Sequence, residues 1–100
     1  MSKPVFITPR AEAQIIELDT WWREHRDKAP NRFEEELVQV LETLATIPGA
    51  GIRYPHPIGD VRRMLLRVTR HHVYYLEQPD RVLVLAVWGA VKGAGPNLEM

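Results

Sequence analysis

Four arginines and two histidines crowd into VRRMLLRVTRHHVYYL (61–76): Arg62, Arg63, Arg67, Arg70, His71 and His72. Arginine offers a permanent planar cation suited to phosphate or carboxylate, and histidine is the side chain that changes protonation near neutral pH. The stretch alternates like a strand, and this many guanidinium groups cannot be buried. It therefore implies a sheet with one dry face and one wet, cationic face. Such a surface suits an anionic partner: RNA, DNA bound to an enzyme, or an acidic peptide. Lys92, further on, adds a cation that can touch the same target.

Proton transfer and metal chemistry are less well provided for. His71 and His72 are adjacent, so in a strand they point to opposite faces and cannot chelate one ion together. The chain has no cysteine, which excludes thiolate sites and disulfides. No metal and no cofactor are expected.

The elements that position these residues follow from patterning. Pro4 to Ile7 reads as a short strand. Thr8 offers an N-cap hydroxyl, Pro9 suits the first helical position, and Ala11, Ile15, Leu18 and Trp22 recur on one helical face. That helix is expected to run to about Asp27, with Trp22 in the core and Trp21 beside it. A second helix opens at APNRFEEEL, with Pro30 in its first turn or Asn31 as its cap and Glu34 completing a capping box. Its apolar face is Phe33, Leu37, Val40, Leu41, Leu44 and Ile47. PGAGIRYPHPIGD (48–60) reads as a long loop, and strands follow at roughly 61–69, 70–78 and 81–88. VLVLAVW (82–88) is apolar throughout and predicts an interior strand covered on both faces.

The order strand, helix, helix, strand, strand, strand predicts an α+β fold: a helical hairpin packed on one face of a small antiparallel sheet (β-α-α-β-β-β). Residues 1–90 form the single domain and 91–100 a flexible tail. Strand parity groups Met64, Leu66 and Val68 on one face, and Val73 with Tyr75. The opposite, open face is expected to gather Arg63, Arg67, Arg70 and His72.

One hundred residues suffice for one domain without covalent staples. Net charge is zero but polarised. Residues 1–50 hold nine acids against six bases, whereas 51–100 hold seven bases against four acids. No apolar run reaches the roughly 18 residues of a membrane span, and the start lacks a signal-peptide core. No membrane association and a cytoplasmic location are therefore expected.

Several patches in order give the chain a family likeness: WWREHR ending helix one, AP–x–x–F opening helix two, P–G–x–G after it, then RRMLLRVTRHHVYYL and VLAVWGAVKGAGPNL. With these the chain resembles toxins of the RelE/ParE superfamily, from type II toxin–antitoxin modules, across nearly its whole length. The resemblance implies a role in plasmid stabilization and a cognate antitoxin that wraps the toxin, with a toxin–antitoxin heterotetramer as the family assembly. Trp21, Phe33 and Leu37 on the hairpin are the expected antitoxin contacts.

The superfamily divides by target. RelE-like members cut messenger RNA on the ribosome, whereas ParE-like members inhibit DNA gyrase without bond-breaking chemistry. For a nuclease, Arg63, Arg67, Arg70 and His72 are the candidate catalytic groups. For an inhibitor, Arg63, Arg67, Arg70 and Lys92 are the candidate target contacts. After Trp88, where many relatives read histidine, this chain has Gly89, and Ala90 to Met100 contains neither His nor Tyr. Arginine is a poor proton carrier. This departure favours the ParE-like side, with no catalytic residue. An inactive, antitoxin-binding relative is the third reading.

Overall fold

The computed structural model describes residues 2–90 and 95–100. Its elements are β1 (Val5–Ile7), α1 (Pro9–His25), α2 (Arg32–Thr46), a 3₁₀ turn (Pro48–Ala50), β2 (Ile52–Arg53), β3 (Val61–Leu66), β4 (His71–Glu77) and β5 (Val82–Gly89). The sheet order is β1-β5-β4-β3-β2. The helical hairpin lies on one face, as the sequence predicts, with α1 over β5 and α2 over β3.

One expectation needs correction: the sheet is mixed. β1 runs parallel to β5 in the register Val5↔Val82, while the remaining pairs are antiparallel. The outer edge of β5 needs a partner, and β1 enters α1 from that edge. Val82 donates to the Pro4 carbonyl at 2.9 Å and Thr8 to Val84 at 3.1 Å, closing the edge. β5 is interior and buried from Val82 to Val87.

Local signals mostly act as expected. The Thr8 hydroxyl accepts from the Ala11 amide at 3.2 Å and caps α1. At α2, Asn31 occupies the cap position but makes no side-chain cap bond. Asn31 and Glu34 instead accept from Arg23 at 2.7 and 3.3 Å, so the expected capping box is replaced by a tie to α1. β2 forms inside the expected 48–60 loop, and β3 stops at Leu66 rather than 69 because 67–70 form a turn.

Two apolar clusters sandwich the sheet. Beneath the helices lie Phe33, Leu37, Leu44, Leu66, Val73, Tyr75 and Val84, with Trp22 partly buried against them. On the second face Val61, Tyr74, Leu76, Leu83 and Leu85 pack with Leu98, Tyr54 and Ile58. Half of the face expected to be open is thus covered by the 54–58 loop and by the 95–100 segment, where Leu98 is 7% exposed.

Candidate functional site

The arginine-rich stretch does not form one cluster. Parity holds within the strands, so Arg63 and His72 share the uncovered half of the second face with Leu65. The Arg63 guanidinium sits 5.4 Å from the centre of the Tyr54 ring, which meets Tyr74 edge-on at 4.9 Å. The Tyr74 ring lies 6.0 Å from His72. Burial, and then the charge of Arg63, push the His72 pKa below its ordinary value. The imidazole is therefore neutral at neutral pH beside a fixed cation. Among the described residues no carboxylate pairs with either group. This arrangement grips an anion or stacks on a planar group, but it lacks a matched acid–base pair.

Arg62 points to the helical side and is structural. It donates to the Gly51 carbonyl at 3.0 Å. Beside it the fully buried Tyr75 hydroxyl donates to the Pro48 carbonyl at 2.6 Å and accepts from the Gly51 amide at 2.9 Å. Burial raises the Tyr75 pKa, which keeps the phenol protonated as the donor this junction needs.

Arg67 and Arg70 lie in the β3–β4 turn, not in strands, which corrects the expectation that they join Arg63 and His72. Arg67 borders α2 beside Glu36 and Gln39. Arg70 adopts φ 62°, the left-handed region, where a Cβ is unfavourable and glycine or asparagine is usual. Two backbone bonds hold it there: its amide donates to Leu66 at 2.9 Å, and Ala90 donates to its carbonyl at 2.8 Å. The acids at the ends of the neighbouring strands are engaged elsewhere, Glu77 with Lys3 and Asp60 with Arg53.

Glu36 anchors the turn from below. Its carboxylate accepts from the Val68 amide at 2.9 Å, the Thr69 amide at 3.0 Å and the Thr69 hydroxyl at 2.9 Å. Partial burial acts to raise its pKa. The three hydrogen bonds and the nearby Arg32 outweigh that and hold it below the ordinary value.

The anchored turn forms one wall of a cleft of about 490 Å³. Val68 and Arg70 face Leu18, Trp21, Trp22 and Arg26 across it. Trp22 is fixed by donating its indole N–H to the Ala29 carbonyl at 2.7 Å. Trp21 is 44% exposed and stacks on His25 at 4.5 Å. The Arg26 guanidinium lies 5.1 Å from the Trp21 ring centre and 5.6 Å from that of Trp22.

Of the expected hairpin contacts, only Trp21 offers surface. Phe33 and Leu37 are core residues, 1% and 6% exposed, which corrects their placement as a docking face. Lys92 lies outside the described residues. Sequence reasoning missed Arg26, although its spacing from Trp21 and Trp22 puts it on their side of the helix. It missed Tyr54 because an irregular loop carries no periodic signal. Glu36 was hidden in a run of three glutamates. Among the described residues no group of His, Asp or Glu could hold a metal ion, and no helix is long and apolar enough to cross a membrane.

The family described as ParE toxin of type II toxin-antitoxin system, parDE, matches residues 5–91. No sequence among the curated proteins matches. The fold is similar to that in a structure of the chromosomal ParDE toxin–antitoxin system from P. aeruginosa, with TM-score 0.71 and 14% identity over 88% of this chain and 96% of that one. It is also similar to a mutant of the E. coli toxin RelE in the free state, with TM-score 0.57 and 18% identity over 91% of this chain and 86% of that one.

Proposed function

We propose a function from one premise: the chain belongs to the ParE toxin family of type II toxin–antitoxin systems. It is a toxin of that class, and its family partner is a cognate antitoxin. Within the class, we read it as an inhibitor of DNA gyrase that binds its target and breaks no bond.

The observation that supports this reading is the pairing of Arg63 with a neutral His72 among tyrosine rings, with no carboxylate paired to either among the described residues. A ribonuclease must take a proton from a 2′-hydroxyl and return one to the leaving oxygen. A single histidine whose pKa is lowered can do the first, but the groups described beside it are a fixed cation and the phenols of Tyr54 and Tyr74, which are poorly matched to the second near neutral pH. Arg63 with Tyr54 instead provides a cation on an aromatic platform, which suits contact with a protein or nucleic-acid surface. The toxin acts in the cytoplasm, and the antitoxin neutralises it in a heterotetramer.

The test is direct. Purified toxin is added to gyrase supercoiling reactions and, separately, to ribosomes programmed with messenger RNA. Loss of supercoiling with intact transcripts is the expected result; transcripts cut on the ribosome, with gyrase unaffected, would establish the RelE-like reading. The closeness of Arg63 and His72 is what keeps that second reading in view, since together they could position a phosphate and a base.

A further inference from the structure

The Trp21–Trp22 cleft is not used by the reading above. We propose that it is the antitoxin's anchor site, and that its occupant is a large apolar side chain flanked by a carboxylate on an acidic segment of the antitoxin. This rests on the family assignment for the existence of the partner, but the site is argued from the cleft itself.

The floor is apolar: Leu18, the two indoles and Val68. A volume of about 490 Å³ falls in the range of pockets that take substantial side chains or ligands. Trp21 and Val68, 44% and 56% exposed, leave that apolar surface to water in the free chain. The rim is cationic. Arg26 and Arg70 stand at the cleft, both exposed, and neither pairs with a carboxylate among the described residues. An apolar floor under two guanidinium groups complements an apolar residue next to an acid, and disfavours a basic or purely polar segment.

Arg70 gives the second, independent indication. The turn at this position favours a residue without a Cβ, yet the chain carries its longest cation there, held at φ 62°. Among the described residues no hydrogen bond or ion pair uses that side chain. A strained residue with no side-chain partner among the described residues, at the mouth of an apolar cleft, points to a contact made outside the chain. The walls are already set: Glu36 fixes Val68 and Thr69, Ala90 fixes the Arg70 carbonyl, and Ala29 fixes the Trp22 indole. A site so arranged binds with little ordering cost. It lies at the helix side of the sheet, whereas Arg63 and His72 occupy the opposite face, so one antitoxin segment can sit here without filling the target surface.

The experiment uses the purified full-length toxin and the cognate antitoxin, titrated by calorimetry at two salt concentrations. Arg70→Gly removes the side chain and relieves the backbone, so it is expected to melt no lower than the wild type. Its affinity for the antitoxin is expected to fall about tenfold or more, with a shallower salt dependence. Arg26→Gln and Trp21→Ala are expected to weaken binding in the same way, and they keep the proposal testable if the glycine variant folds poorly. Affinity within about twofold of wild type for all three variants overturns the assignment. So does loss of toxicity with antitoxin affinity intact, which would give the cleft to the target. A wild-type toxin that fails to bind the antitoxin overturns the partner reading itself, a distinct result from wild-type binding that the variants leave unchanged.

Discussion

One carboxylate oxygen of Glu36 accepts both the amide and the hydroxyl of Thr69, at 3.0 and 2.9 Å, and so ties α2 to the turn that carries Arg67 and Arg70. With the Val68 amide on the other oxygen, the carboxylate serves the turn much as a cap serves a helix.

Replacing Glu36 by Gln is expected to cost about 1–2 kcal/mol, the worth of charge-assisted hydrogen bonds to a partly buried acceptor. The folded state lowers the Glu36 pKa from 4.5, so the carboxylate's contribution is complete above that value. It is lost as pH falls through the lower folded value. Urea melts from pH 7 down to acid should therefore show wild type and E36Q converging. A gap that stays constant with pH would show that the charge is not what matters.

His72 behaves in the same direction for a different reason. Burial and Arg63 lower its pKa from 6.5, so the unfolded chain binds a proton more readily there than the folded one. Its neutral form supports the fold above about pH 6.5, and that support fades as pH drops through the folded value. In an NMR titration the His72 ring should titrate below 6.5, and Arg63→Gln should move its midpoint upward. No movement would remove Arg63 as a cause. If the toxin cuts transcripts on the ribosome and His72→Ala abolishes that cutting while the fold survives, the inhibitor reading fails.

Tyr75 is expected to matter through its hydroxyl. Tyr75→Phe leaves the Gly51 amide and the Pro48 carbonyl without that partner and should cost about 1–3 kcal/mol. Gly51→Ala should cost at least as much. A Cβ there would stand 2.5 Å from the Tyr75 hydroxyl and 2.9 Å from the Arg63 carbonyl, and the carbonyl belongs to a paired strand that cannot give way. Guanidinium melts measure both; a neutral Y75F would show that water serves the junction as well.

Leu98 is expected to be structural despite its place in a glycine-rich segment. It packs with Leu83 and Leu85, so Leu98→Ala should lower stability by about 2 kcal/mol. Thermal unfolding with and without the substitution checks this, and an unchanged midpoint would mean that the contact contributes nothing in solution.

The helices, the Thr8 cap of α1 and the buried β5 were legible because each is a local signal, whereas the cap expected at α2 gave way to the tie from Arg23. The split between His71 and His72 was legible too. What escaped the sequence depended on pairing across distance. The parallel docking of β1 has no signature in a three-residue strand. Arg67 and Arg70 read as strand residues because nothing marks a turn in RVTR: it lacks glycine, proline and asparagine, and Glu36, far away, supplies the missing restraint. The covered half of the second face depends on Leu98, whose neighbours in sequence read as a tail.

The parallel register of β1 against β5 bears on how the sheet is assembled. The pairing Val5↔Val82 joins residues separated by both helices and by β2, β3 and β4, so it carries the largest loop-closure cost in the sheet and is expected to close late in folding. The hairpin and the antiparallel strands, whose contacts are more local, can form before that edge is sealed.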